Sequence, residues 1–104
     1  MRFLAERSAA RSAGEWRVFW RTRGMRELGE VASTTWAPLA TAGVEARDAC
    51  LFRIASLLGS RASAQALADE LARIRRDLGD EPAALEDARA AHVIVTWFGE
   101  ATRA

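Results

Sequence analysis

The 104-residue sequence contains no lysine, no asparagine and no tyrosine, and it has one cysteine, one histidine and two prolines. A lone Cys50 excludes an intrachain disulfide and a cysteine-based zinc cluster, and it fits a reducing compartment. No apolar run approaches the ~20 residues of a membrane-spanning helix. The opening MRFLAERSAARSAGEW is interrupted by Arg2, Glu6, Arg7 and Arg11, whereas a secretory signal needs about 7–15 uninterrupted apolar residues. These absences point to a cytoplasmic protein with no membrane partner. His-x-x-His, Glu-x-x-His, Gly-x-Ser-x-Gly and glycine-rich phosphate loops are also missing. Neither a metal nor another cofactor is therefore expected.

What is present is arginine and alanine. All fifteen basic residues are Arg, set against fourteen acids for a net charge of +1. Arg and Ala use GC-rich codons while Lys, Asn and Tyr use AT-rich ones, so the bias is read as that of a GC-rich bacterial genome rather than as a phosphate-binding signature. Hydrophobic residues make up 50% and charged residues 28%, which excludes a disordered or collagen-like chain. Charge is unevenly spread. Residues 1–30 carry seven Arg and four Glu, and residues 69–104 carry five Arg and eight acids. Solvated helix faces account for that layout.

Periodicity predicts helices. Leu67, Leu71, Ile74 and Leu78 form one stripe of a helix over 63–78. Ser63 stands as its N-cap, Arg73, Arg75 and Arg76 complement its dipole, and Gly79 is its stop. Asp80-Glu81-Pro82 reads as the acidic opening of a helix running to about Phe98, with Ala84, Ala88, Ala91, Val95 and Phe98 as its apolar face. Its β-branched end, Val93 to Thr96, leaves a short strand as the alternative. A third helix is expected over 45–58, and another over about 25–33 from Met25, Leu28, Val31 and Ala32. Trp16, Phe19, Trp20 and Arg23 fit helical spacing, while Trp16, Val18 and Trp20 also alternate as a strand would. Helix is favoured. Ser33 to Pro38 reads as a break, since a residue before proline avoids helical dihedrals. The expected fold is all-α, a single-domain bundle of four or five helices over residues 1–104.

Trp36-Ala37-Pro38-Leu39, then Glu45-Ala46-Arg47-Asp48, Leu57-Leu58 and the stretch from Ala64 to Leu78 resemble a family of small bacterial helical proteins. That family carries a Trp-Asp-Pro-Ile/Leu-Gly motif. The resemblance covers about two-thirds of the chain. The motif's aspartate is Ala37 here and its glycine is Ala40, so the family's use of that aspartate does not transfer. A small helical fold is what the resemblance implies, because the family has no established chemistry.

Two side chains could serve an enzyme, each with a plainer explanation. Cys50 would be a nucleophile if Arg47 and Arg53, three residues to either side, lowered its pKa. Free cysteine is, however, among the most buried residue types, and Leu51, Phe52 and Ile54 surround it. His92 would need a proton donor and a carboxylate nearby, and otherwise it is a core-edge or surface residue. The carboxylate pairs Asp69-Glu70, Asp80-Glu81 and Glu86-Asp87 lie in or just before the N-terminal halves of helices, where capping and the dipole explain them. No catalytic residue is assigned.

The stretch with most to offer runs from Arg11 to Arg26, where Arg11, Arg17, Arg21, Arg23 and Arg26 interleave with Trp16, Phe19 and Trp20. Arginine and aromatics can grip a nucleic acid, but a net charge near zero removes most of that driving force. Tryptophan and arginine are also the residues enriched at protein–protein hot spots. The sequence therefore reads as a non-catalytic protein-interaction module or small accessory, immunity-type protein. Its expected binding residues are Trp16, Arg17, Trp20, Arg21 and Trp36. Nucleic-acid binding through the same segment and an enzyme using Cys50 or His92 are the alternatives. Four tryptophans also raise self-association into a homo-oligomer.

Overall fold

The computed structural model describes residues 13–103, and every described element is helical. Helix α1 (Ala13–Phe19) passes through a π-helical turn (Trp20–Gly24) into α2 (Met25–Thr35) without a break, making one continuous rod. A single turn, α3 (Ala37–Ala40), leads to α4 (Val44–Gly59), α5 (Ala64–Asp77) and α6 (Ala84–Ala101). Helices α2, α4, α5 and α6 pack in a closed ring, each touching the next, and α6 closes it against α2. The fold is an all-α bundle in a single domain.

The π turn has a visible cause. Its i→i+5 bond joins the Met25 N–H to the Trp20 carbonyl, and Gly24 lies buried at its end. A Cβ on Gly24 would stand 2.6 Å from Cε2 of the Phe19 ring and 2.8 Å from Cε3 of Trp20. Only glycine leaves room for both aromatic rings beside the widened turn.

Trp36 alone breaks the chain between α2 and α3. Its backbone is extended, with φ −132° and ψ 104°, and Pro38 sits in the first turn of α3, where its missing N–H costs nothing. The break is therefore narrower than the Ser33–Pro38 segment expected from sequence. Helix α6 also starts later than expected. Residues 80–83 are not helical, and the first turn opens at Ala84, with Asp87 N–H bonded to the Ala83 carbonyl at 3.0 Å. Pro82 pushes the residue before it out of the helical region, so Asp80 and Glu81 lie ahead of the helix. At the other end α6 runs through Gly99 to Ala101, and Val93 to Thr96 are helical.

Helices α4 and α5 end alike. Both finish in a Schellman turn, in which the N–H two residues past the C-cap bonds five residues back: Ala62 to Leu57 and Asp80 to Arg75, each at 3.0 Å. The left-handed position is Gly79 in one (φ 78°) and Arg61 in the other (φ 60°). An L-residue there costs roughly 1–2 kcal/mol. Arg61→Gly should therefore stabilise the fold by about 0.5–1 kcal/mol, after glycine's greater chain entropy is subtracted, read as a higher urea midpoint at unchanged slope.

The core runs through Leu28, Trp36, Leu39, Ile54, Leu58, Leu67, Leu71, Ile74 and Ile94, all of them nearly inaccessible. In α5 the buried stripe is Leu67, Leu71 and Ile74 as the spacing predicts, joined by Arg75. The Ser63 hydroxyl caps it, accepting from Ala66 N–H at 3.1 Å. In α6 the stripe is turned from the expected one. It runs Asp87, Ala90, Ala91, Ile94 and Phe98, while Ala84, Leu85 and Ala88 face solvent. An aspartate leads the buried face, which an apolar pattern cannot indicate.

Helix α4 is tied to α5 by charge as well as packing. Arg53 bridges Glu70 (2.6 Å) and Asp77 (2.9 Å), and Arg73 also holds Glu70, at 3.0 Å. Burial pushes the Glu70 carboxyl up, but hydrogen bonds from Arg53 and Arg73 outweigh it and hold it below its ordinary value. A carboxylate lowered on folding stabilises above its unfolded pKa, about 4.3, and that stabilisation disappears as pH falls through the lower folded value. Glu70→Gln should accordingly be less stable than wild type at neutral pH. The gap should close on acidification below about pH 4, in paired urea titrations.

Candidate functional site

The sequence-predicted binding residues separate into three environments. Trp36 is fully buried at the centre of the bundle, so it offers no surface to a partner. That is a correction with a clear physical reason. Its indole N–H donates to Asp87 Oδ1 at 2.8 Å, and Asp87, 2% exposed, also accepts from Arg75 Nε at 2.9 Å. The Arg75 guanidinium stands 5.7 Å over the Trp36 ring and reaches Glu86 at 3.1 Å. Glu86 in turn accepts from the Ala37 N–H, also at 3.1 Å. Glu86 and Asp87 lie in the first turn of α6, where the helix dipole favours them as expected, and they also anchor α3 and α5 to it. Asp87 Oδ2 has no hydrogen-bond partner among the described residues.

Trp16 and Trp20 are half-buried. Both stack on Phe98 near the end of α6, at 5.3 Å and 5.7 Å between ring centroids and within 15° of parallel. Phe19 fills the same cluster, edge-on to Phe98 at 6.2 Å, and Trp97 lies beside both. Arg23 sits over Phe19 and bonds to Glu27. The aromatics of α1 thus clamp the N-terminal rod to α6. All four tryptophans have neighbours inside the fold, so their number does not require a second copy.

Arg17 and Arg21 are exposed. One helical turn apart, they border an open groove of about 560 Å³ between the rod and α4. Trp20 and Met25 form its wall on one side. Phe52, Ala55, Ser56 and Gly59 form the other, at the i, i+3, i+4, i+7 spacing of a single helix face. Phe52 is 65% exposed. Arg17 and Arg21 make no ion pair among the described residues, whereas Arg23, Arg26, Arg53, Arg73 and Arg75 all do. Arg11, the first arginine of that stretch, lies outside the described residues.

No protein family, curated protein or solved structure matches the chain.

The two candidate catalytic side chains are placed apart in character. Cys50 is buried, and burial pushes its thiol up; Arg53 works against that and Asp77 adds to it. Arg53 is turned toward the acids of α5, and Arg47 toward the Gly29 carbonyl at 3.5 Å. The pull of Arg53 toward a thiolate is thus outweighed by burial. His92 is exposed on α6. No group of three or more His, Cys, Asp or Glu among the described residues is arranged to hold a metal, and no helix among them is long and apolar enough to cross a membrane.

Sequence reasoning missed Phe52. It sits between Leu51 and Ile54 and reads as one more core residue of α4. The i+4 relation to Ser56 and i+7 relation to Gly59 was the available signal, because two small residues on its face leave nothing to bury it.

Proposed function

We propose that this protein is a non-catalytic interaction module of a bacterial cytoplasm, a small accessory protein that binds and can occlude a partner protein through the groove between its N-terminal rod and α4. The groove carries this reading. It joins the exposed Phe52 to the half-buried Trp20 and to Arg17 and Arg21, which make no ion pair among the described residues; tryptophan and arginine are side-chain types enriched at binding hot spots. Of the five residues expected to bind, Trp20, Arg17 and Arg21 line this groove, while Trp16, stacked on Phe98, and the buried Trp36 do not. A buried Cys50 with a raised pKa favours a binding role over nucleophilic catalysis.

The test is quantitative affinity capture with the full chain and with Phe52→Asp, an exposed position whose substitution leaves the core intact. A partner should be recovered with wild type and be depleted at least about tenfold with the variant, the weight of one hot-spot residue. Equal recovery of every captured protein by both forms would reject the groove as the binding surface.

A further inference from the structure

We infer that the occupant of this groove is an acidic amphipathic helix, one that lays apolar anchors on Trp20, Met25 and Phe52 and sets carboxylates against Arg17 and Arg21. The inference rests on the interaction reading above and names the partner's chemistry. Geometry comes first. The α4 wall spans from Phe52 to Gly59, seven residues or roughly 10 Å at 1.5 Å per residue, enough for anchors at i, i+3 or i+4, and i+7 of a docked helix. Gly59 leaves the far end flat, and a Cβ built there meets nothing within 4 Å.

Charge then selects among occupants. Among the described residues, none of those bordering the groove is acidic. Two copies of this chain meeting groove to groove would bring four arginines together with no carboxylate among the described lining residues, and like charges at close range are destabilising. A nucleic acid would find two cations among the described lining residues, where useful backbone affinity needs several phosphates neutralised. A helix with Glu or Asp one turn apart matches the Arg17–Arg21 spacing. Arginine's planar fork also accepts carboxylates in bidentate geometry.

The probes are fluorescent synthetic helical peptides of about four turns. One carries Leu at the anchor positions with Glu flanking them, one has Lys in place of every Glu, and a third is a scramble of the acidic peptide. A single-stranded oligonucleotide is the fourth probe. The proteins are the full chain, the double variant Arg17→Glu/Arg21→Glu, and Gly59→Leu, with Phe52→Asp as a second block of the groove. Circular dichroism confirms that each variant is folded.

The acidic peptide should bind wild type, weaken about tenfold on charge reversal, and lose binding with Gly59→Leu. The Lys peptide should gain on the reversed variant. If the Lys peptide binds wild type as well as the acidic one, and Gly59→Leu still blocks it, the groove stands and the acidic occupant is rejected. Peptide binding indifferent to both Gly59→Leu and Phe52→Asp rejects the groove itself. Oligonucleotide binding without peptide binding makes the surface a nucleic-acid site, and no binding by any probe at about 1 mM, a free energy near −4 kcal/mol, overturns the inference.

Discussion

Asp87→Ala is expected to lower the unfolding free energy by about 3–5 kcal/mol, the usual effect of removing one partner from a buried ion pair. Arg75 is only 6% exposed. Without Asp87 its guanidinium keeps only Glu86, whose side chain is partly in solvent, and the Trp36 N–H is left without its acceptor. For a domain whose whole stability is on the order of 5–15 kcal/mol, that is a large share. Urea unfolding should show a lower midpoint at constant slope. Asp87→Asn, which keeps an acceptor for Trp36 but not the charge, should fall between wild type and alanine. The double variant Arg75→Met/Asp87→Leu should be less damaged than Asp87→Ala alone, because it removes both charges rather than stranding one. A loss below about 1 kcal/mol in Asp87→Ala would show that the network is incidental to stability.

Phe98→Ala should act on one part of the molecule. Its ring is in contact with Trp16, Phe19, Trp20 and Trp97, so deletion removes a large apolar volume together with several aromatic pairs. Large-to-small changes of this kind cost about 3–5 kcal/mol, and each aromatic pair adds roughly 0.5–1.5 kcal/mol. The α1 segment is held to α6 largely through this cluster and the Arg23 contacts, whereas α5 is held by the bundle itself. Amide exchange should thus become fast over residues 13–24 while residues 64–77 stay protected. Uniform loss of protection across all helices would mean that α1 is not a separable unit. Because α1 and the π turn form one wall of the groove, the same variant should also lose partner binding.

Helix identity was legible in the sequence wherever apolar spacing and end signals agreed. The α5 segment had its stripe, its Ser63 cap and its Gly79 stop, and all three are as read. Elsewhere a polar residue did the work of an apolar one. Asp87 on the buried face of α6 is recognisable only once Arg75 and Trp36, 12 and 51 residues away, are brought to it. The burial of Trp36 is hidden for the same reason: nothing local to it shows the Asp87 acceptor that its indole N–H meets in the core. The groove was half visible. Arg17, Trp20 and Arg21 were singled out as one segment, but the opposite wall depends on which face of α4 turns outward, and that is decided by the packing of Leu51, Ile54 and Leu58.

The surplus residue at Trp20–Gly24 sets the phase of the whole N-terminal segment. In an uninterrupted α-helix each position is offset by about 100° from the next, so forcing the same residues into regular i→i+4 geometry there would swing Trp16 and Phe19 around the rod axis and away from Phe98. Residues from Met25 onward would keep their bearings in the bundle. The rod can therefore face two neighbours at once, aromatics to α6 and arginines to open solvent, and the widened turn that Gly24 permits determines whether those two bearings coincide with what each faces.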